Sequence, residues 1–263
     1  MTADALDGEH VDRVGRHGPA PLTVAARSLP LRCRRVSAPA TGTRRGPTAD
    51  RPRDGHHGRG GACRICAARA APGFSTCTSC RAVAVSLGRP LVPVTPVAVV
   101  ARPSPLYRAL RQYKSGEPEV AARQSARLVS LLDRFFARHV ECIAPGGLDL
   151  CVVVPSPYGA RPPPHPLAAL VAASRSLPPL VDALFPGTSP VAHRRPSADG
   201  YRATNMVSGR RVLLVDDVYT SGAHLQSAAV ALAAAGAEVV RAVVLGRFVR
   251  DDAPRLRCPR CRR

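Results

Sequence analysis

The chain has 263 residues, of which 45% are hydrophobic, and a formal net charge of +20. This hydrophobic content is sufficient for a buried core, so the chain as a whole is not a disordered polypeptide. It has no apolar run of the roughly 18 residues that a spanning helix needs. Met1 to Pro30 also lacks the apolar centre of a signal peptide. We therefore expect a cytoplasmic protein with no membrane span.

The positive charge is carried almost entirely by arginine, since Lys114 is the only lysine. Arginine binds phosphate and carboxylate groups through paired hydrogen bonds. A polyanionic partner, either a phosphorylated metabolite or nucleic acid, is therefore one interpretation. A solvated basic surface that reflects a GC-rich coding background is the other. Composition leaves both open.

The chain divides by composition into four parts. Residues 1–61 are rich in Arg, Gly and Pro without a sustained apolar period, which predicts a disordered or linker-like extension. Residues 62–90 hold a compact cysteine module, and residues 91–250 have the patterning of a folded domain. Residues 251–263 form a basic tail with a further cysteine pair, Cys258 and Cys261, for which metal binding stays open.

The cysteine module contains Cys63-x₂-Cys66 and Cys77-x₂-Cys80, separated by ten residues. Two closely spaced thiolate pairs of this kind can complete the tetrahedron of a structural zinc site. Disulfides are the poorer alternative in a chain without an export signal, and free or redox-active thiols remain a third interpretation. The spacing favours zinc, held by all four cysteines.

The remaining elements alternate between strands and helices. Pro90 to Val100 is apolar but interrupted by prolines, which predicts an edge strand or an extended arm. Strand, helix, strand order with short connections is typical of an α/β fold with a parallel sheet flanked by helices. Apolar spacing predicts helices over Ser104–Tyr113, Glu117–Val140, Pro166–Ala173 and Gly222–Ala235, buried strands over Leu150–Val154, Val212–Val215 and Glu238–Leu245, and a loop-rich stretch over Pro186–Arg211.

The segment from Val212 to His224, VLLVDDVYTSGAH, carries the most specific chemical signal. Its strand delivers Asp216 and Asp217 to the carboxyl edge of the sheet, where open α/β sheets bind ligands. Thr220-Ser221-Gly222 then enters a helix, whose unpaired N–H groups and dipole form an anion site. Carboxylates can accept hydrogen bonds from sugar hydroxyls and can hold Mg²⁺ near a pyrophosphate. A phosphorylated sugar satisfies both features.

Three other interpretations of this segment are weaker. The second acidic motif of a P-loop ATPase needs a glycine-rich loop with a lysine, which Lys114 and its neighbours do not provide. A phospho-receiver domain needs a later lysine, and none follows Asp217. A merely structural strand, turn and capped helix explains the capping residues but not the whole string.

The string resembles the motif of type I phosphoribosyltransferases that binds phosphoribosyl pyrophosphate (PRPP). That resemblance implies that Asp216 and Asp217 hold the ribose 2- and 3-hydroxyls. It further implies that the segment Val218, Tyr219, Thr220, Ser221 and Gly222 cradles the 5-phosphate. Mg²⁺ is expected to accompany the PRPP.

The four-cysteine module, the Tyr113-Lys114-x-Gly116 segment, a strand ending in proline and the PRPP motif together resemble the ComF family. The resemblance covers about Cys63 to Arg247 and implies a phosphoribosyltransferase-like protein linked to natural competence. It places Pro155, Ser156 and Arg161 on the pyrophosphate side. The Arg-Gly-Phe-Asn-Gln segment usual in that family is replaced by Pro162-Pro-Pro-His165-Pro, which makes this a divergent branch.

Two functions follow from the resemblance. The first is that of a pentosyl-transferring glycosyltransferase, which moves a phosphoribosyl group from PRPP to an unidentified acceptor, with no residue assignable as a proton carrier. The second is that of a non-catalytic accessory protein that binds PRPP or a nucleotide and contacts single-stranded DNA or competence and recombination proteins.

Overall fold

The computed structural model describes residues 61–156 and 165–248. A four-stranded parallel sheet with the order β1-β6-β5-β2 forms its centre, and a two-stranded antiparallel ribbon, β3-β4, lies beside it. The elements in chain order are α1 (Thr78–Leu87), β1 (Val94–Val100), α2 (Pro105–Ser115), α3 (Pro118–Ile143), β2 (Leu150–Val153), α4 (Pro166–Ala172), β3 (Leu184–Pro186), β4 (Tyr201–Ala203), a single 3₁₀ turn (Asn205–Val207), β5 (Arg211–Tyr219), α5 (Ala223–Ala234) and β6 (Glu238–Phe248).

The central strand β5 is apolar over Val212–Val215, and its side chains alternate between two cores because successive side chains of a strand point to opposite faces. Val212 and Leu214 pack with the cysteine module, α5, and β3 and β4 on what we call the cysteine face. Leu213 and Val215 pack with α2, α3 and α4 on what we call the helical face. Both cores are buried, which explains the continuous apolar run in this strand.

The helical face is built from large side chains at helical spacing. Ser104 caps α2 by accepting a hydrogen bond from the Tyr107 backbone N–H at 3.1 Å, and Pro105 occupies the first turn. Leu128, Leu132, Phe135 and Phe136 of α3 are buried against the sheet.

The cysteine face is built differently. Helix α5 contributes mainly alanines, with Leu225 and Leu232 as its large buried side chains. The four cysteines and Val83 of α1 are buried in the same core as Leu214 and Val244 of the sheet. The cysteine module is therefore packed directly onto the sheet.

The predicted parallel α/β sheet is confirmed, and most predicted elements end within three residues of the observed ones. The segment with interrupting prolines is an edge strand, as one of the two predicted alternatives had it. Two predictions were incomplete. The stretch Pro186–Arg211 contains the strand β4, and β5 runs on to Tyr219 because it pairs with β6 as far as Tyr219↔Arg247.

Several predictions fall outside the described residues. These are the extension up to residue 60, Arg161 on the pyrophosphate side, and the tail with Cys258 and Cys261. Among the described residues, no helix is long and apolar enough to cross a membrane.

Candidate functional site

The two carboxylates lie where β5 extends past its pairing with β2. Described pairs between these strands run to Val153↔Val215, followed by a hydrogen bond from the Val154 N–H to the Val215 carbonyl at 3.0 Å. Asp216 and Asp217 come next, still paired with β6 on the other side. They therefore occupy the carboxyl edge of the sheet, as the sequence predicts.

Asp217 contacts side chains from α2 on the helical face. The Tyr113 hydroxyl donates a hydrogen bond to Asp217 Oδ2 at 3.0 Å, and Lys114 Nζ lies 2.5 Å from the same oxygen. The Lys114 side chain is 29% exposed and that of Asp217 is 14% exposed, so the pair is accessible from the site. The one lysine of the chain thus brings a cation to the carboxylates.

Asp216 has a different electrostatic environment. Burial raises the pKa of its carboxyl group well above the ordinary value, and the negative charge of Asp217 raises the pKa further. Its Oδ1 accepts a hydrogen bond from the Asp217 backbone N–H at 2.8 Å, and the charge of Lys114 opposes the upward shift. The two neighbouring acids are therefore not equivalent.

The turn from β5 to α5 brings backbone groups close together. Gly222 has φ +86°, in the left-handed region that favours glycine, and a Cβ at this position would overlap the Tyr219 hydroxyl. Helix α5 begins at Ala223 without a side-chain cap at position 222. Ser221 Oγ accepts hydrogen bonds from the Ala223 N–H at 3.4 Å and from the Arg194 N–H at 3.2 Å. Ser221 thus holds the Ala223 N–H, and the N–H groups that follow it in the first turn of α5 favour an anion.

Tyr201 of β4 links the end of β2 to the first turn of α5. Its hydroxyl lies 2.9 Å from His224 Nδ1 and 3.4 Å from the Pro155 carbonyl. Burial raises the pKa of Tyr201, and the charge of Asp216 adds to this. Burial also lowers the pKa of His224, with a further contribution from His193. The lowered pKa favours a neutral imidazole beside the loop.

The cysteine cluster has the geometry of a tetrahedral metal site. The sulfurs of Cys63, Cys66, Cys77 and Cys80 all lie within 4.8 Å of one another, and Cys66 Sγ is 3.7 Å from Cys77 Sγ. Zinc–sulfur bonds of about 2.3 Å place the sulfurs of a regular tetrahedron about 3.8 Å apart. All four side chains are buried. The donor set therefore fits a thiophilic cation such as zinc.

The four thiols also shift one another's pKa values. The hydrogen bond from Cys66 lowers the pKa of Cys63, whereas contact with Cys63 raises that of Cys80. Four thiolates at this spacing repel one another, so the cluster ionises fully only around a positive charge. Metal ligation by thiolates supplies that charge.

Those residues of the predicted PRPP site that the structure describes thus occupy one region. Asp216 to Gly222 form the end of β5 and the loop, and half-buried Pro155 and Ser156 follow β2. The Tyr219 side chain does not fit the predicted phosphate cradle, because its hydroxyl lies 3.6 Å from Cys80 Sγ. Only the backbone of this residue remains for a ligand.

Sequence reasoning did not assign Lys114, Tyr113, Tyr201 or His224 to the site. Lys114 had a usable signal, since it is the one lysine of the chain and follows a tyrosine at a helix end. His224 directly follows the loop motif. Tyr201 lies in a stretch that the sequence predicts as loop. Its position in the site depends on strand β4, which the sequence pattern does not predict.

Comparisons with known proteins agree with this geometry. A family model described as "Phosphoribosyl transferase domain" matches residues 166–255, which include β5, the loop, α5 and β6. A comparison with curated proteins finds no match. The matched part of the chain is therefore similar to a phosphoribosyl transferase domain. The cysteine cluster, α2 and α3 precede the matched residues.

Proposed function

We propose that this protein binds PRPP at the end of β5 and transfers its phosphoribosyl group to an acceptor whose identity is open. One observation carries the proposal. Asp216 and Asp217 lie near the end of β5, shortly before the Gly222 turn and the start of α5, within the residues that the phosphoribosyl transferase model matches. Carboxylates for sugar hydroxyls and N–H groups for a phosphate are thereby adjacent.

In this proposal the ribose 2- and 3-hydroxyls donate hydrogen bonds to Asp216 and Asp217. The 5-phosphate accepts hydrogen bonds from backbone N–H groups between Val218 and Gly222, and from the exposed Thr220 hydroxyl. Tyr219 contributes its backbone alone because its side chain is 1% exposed. Lys114 is paired with Asp217, and in this proposal it also contacts the pyrophosphate when PRPP binds.

The transfer breaks the bond between ribose C1 and the pyrophosphate oxygen, and the electron pair leaves with pyrophosphate. A lone pair of the acceptor forms the new bond to C1. The acceptor's proton passes to solvent or to a base whose identity depends on the acceptor. Positive charge near the leaving group stabilises this step. Lys114 supplies such a charge, and Pro155, Ser156 and Arg161 are proposed for the pyrophosphate side.

Mg²⁺ is the proposed companion of PRPP. In proteins it is commonly bound by one or two carboxylates together with substrate phosphates, and Asp216 and Asp217 fit that donor set. When bound, it neutralises charge on the pyrophosphate. Zinc is proposed for the cysteine cluster because a tetrahedral set of four thiolates selects it. We propose the cytoplasm as the compartment, since it keeps such thiols reduced.

An accessory function is the second candidate. Asp217 contacts both Lys114 and Tyr113, so its negative charge is partly neutralised within the protein. Arg194 and Arg195 are exposed next to the loop residue Ser221. A protein that holds PRPP or a nucleotide without turnover, and contacts single-stranded DNA or competence proteins through basic residues, is compatible with these features.

Calorimetry with PRPP and Mg²⁺ tests the binding step. Asp217→Asn removes a charge-assisted acceptor, worth about 1.5–3 kcal/mol, so we expect binding to weaken about 10- to 100-fold. Asp182→Asn is the matched control because it makes the same charge change at an exposed position outside the loop. Equal affinity of wild type and Asp217→Asn would contradict the proposed site.

Pyrophosphate release then separates the two functions. Incubation of the zinc-loaded protein with PRPP, Mg²⁺ and pools of candidate acceptors should yield pyrophosphate and a ribosylated product, both detectable by mass spectrometry. Binding without release in every pool would favour the accessory function. An electrophoretic mobility shift assay with single-stranded DNA at increasing salt concentration tests whether the accessory function involves DNA binding, because contacts to phosphates weaken steeply with salt.

A further inference from the structure

The phosphate loop rests on the cysteine cluster through Tyr219. The Tyr219 hydroxyl lies 3.6 Å from Cys80 Sγ, and its side chain is 1% exposed. The same hydroxyl lies so close to Gly222 that a Cβ there would overlap it. One buried oxygen thus contacts a proposed metal ligand on one side and the turn of the loop on the other.

Arg247 makes a second connection between the same two regions. It pairs in register with Tyr219 in the sheet, and its side chain is 7% exposed. One end of the guanidinium donates to the loop carbonyls, with Nη1 2.7 Å from Tyr219 O and 2.9 Å from Thr220 O. The other end, Nη2, lies 3.7 Å from Cys66 Sγ. The guanidinium also lies 5.0 Å from the centre of the Tyr219 ring.

The charge of Arg247 needs a partner because burial of an isolated cation is costly. Backbone carbonyls offer partial charges, and Nε has no hydrogen-bond partner among the described residues. Four thiolates around a divalent cation carry a formal charge of −2, so a metal-loaded cluster gives Arg247 its counter-charge. Protonated thiols are only weak acceptors, and would not hold the guanidinium with comparable strength.

We propose that the metal-loaded cysteine cluster positions the phosphate-binding loop, with Arg247 and Tyr219 as the two positioning residues. In the metal-loaded cluster Cys66 and Cys80 are thiolates, which hold the Arg247 guanidinium and the Tyr219 hydroxyl in place. These two groups in turn position the loop carbonyls and Gly222. This inference rests on the proposed function for the identity of the ligand. The coupling between the cysteine cluster and the loop does not depend on that function. Because coupling between two binding sites is reciprocal, a phosphate ligand at the loop should also slow metal release.

The test uses the zinc-loaded full chain and ribose 5-phosphate as the probe. Zinc release to a colorimetric chelator is timed with and without the probe, for wild type, Arg247→Gln and Tyr219→Phe. Arg64→Gln is the matched control because it makes the same change at an exposed residue between Cys63 and Cys66. We expect ribose 5-phosphate to slow release at least about threefold in wild type and in Arg64→Gln, and to have no effect in Arg247→Gln.

Hydrogen exchange gives a second measurement that needs no ligand. In the zinc-loaded state, amides of residues 218–223 should exchange about tenfold faster in Arg247→Gln than in wild type, whereas amides of residues 243–245 in β6 should be unchanged. Arg247→Lys should recover only part of the effect, since an ammonium lacks the fork that reaches both carbonyls and the sulfur. Tyr219→Phe removes only one hydroxyl, and it tests the same coupling if Arg247→Gln does not fold.

The outcomes separate this inference from the proposed function. If wild type binds neither ribose 5-phosphate nor PRPP, the proposed function fails, and loop exchange alone decides the coupling. If the ligands bind but loop exchange and metal release in Arg247→Gln and Tyr219→Phe equal those of Arg64→Gln, the coupling is overturned and the cysteine cluster is a structural site only.

Discussion

The two faces of the sheet are stabilised in different ways. The helical face is packed with large apolar side chains such as Leu132 and Phe136, and burial of that area is a non-directional source of stability. The cysteine face has an alanine-rich helix, a four-cysteine cluster and a set of polar links. This face therefore adds directional contacts to an apolar core of its own, and the candidate phosphate loop lies on this side.

The polar links on the cysteine face each fix one part of the site. Gln226 of α5 is buried and binds the backbone of Val92 from both ends of its amide, with two hydrogen bonds of 2.9 Å. Tyr201 joins His224 to Pro155. The difference between the faces teaches that both supply apolar core, but only the cysteine face adds polar links that position the candidate ligand-binding groups.

The largest effect should come from the metal ligands. Cys66→Ser, or chelation of wild type, is expected to lower the free energy of unfolding by more than about 5 kcal/mol, since structural zinc sites contribute folding energy directly. Thermal unfolding with and without chelator, together with elemental analysis for about one zinc per chain, measures this.

Cys151→Ala is the control for that prediction. Cys151 is buried on the helical face, and burial raises the pKa of its thiol to about 12, so it is a neutral side chain outside the cluster. This variant should keep its zinc and its sensitivity to chelator. A wild-type protein that unfolds identically with and without chelator would show that the two faces do not differ in this respect.

Phe136→Ala probes the helical face. Phe136 is fully buried, and its truncation should cost about 3–5 kcal/mol because it removes apolar contacts and leaves a cavity. Urea unfolding measures the loss. Zinc content and the affinity for ribose 5-phosphate should stay near the wild-type values under native conditions, and a drop in zinc content would contradict the separation of the two faces.

Gln226→Leu breaks the link between α5 and the segment before β1. It leaves the Val92 N–H and carbonyl without their side-chain partner, which should cost about 2–3 kcal/mol. Gln124→Leu is the matched control on α3, where the amide donates to Gln112 and accepts from Arg127, both at 3.2 Å and both between side chains that are not fully buried. This change should cost less than about 1 kcal/mol. Equal losses in the two variants would contradict the view that polar links matter more on the cysteine face.

Asp216→Asn should produce the smallest change, and a pH-dependent one. Because the folded pKa of Asp216 is raised, the native state binds more protons than the unfolded state between the two pKa values. Wild-type stability therefore decreases as pH rises through that window, and an amide escapes this loss. We expect the stability of Asp216→Asn relative to wild type to be greater at pH 8.5 than at pH 5.5.

Urea unfolding of both proteins at each pH checks this, since subtraction removes the pH dependence of the metal site that they share. Asp217→Asn should show no such gain, because its carboxylate is paired with Lys114 and loses that partner. A stability difference between Asp216→Asn and wild type that does not change with pH would rule out the raised pKa as its cause.

Much of this protein was predictable from local sequence. Periodicity located the helices and the parallel strands because apolar spacing directly reflects which faces are buried. The cysteine spacing predicted a cluster, and the four sulfurs do converge. The loop motif was recognisable because Asp216, Asp217 and Gly222 act within one short strand, turn and helix, which the chain forms from neighbouring residues.

The contacts that distinguish the site were decided only by tertiary structure. Tyr113 reaches Asp217 across 104 positions of sequence, and Arg247 reaches Cys66 across 181. No local sequence pattern predicts such pairs, because they depend on strand order, on strand register and on which helix end lies at the edge of the sheet. The sequence by itself determined a two-cysteine-pair module and a candidate phosphate loop; the fold decided that one lies directly against the other.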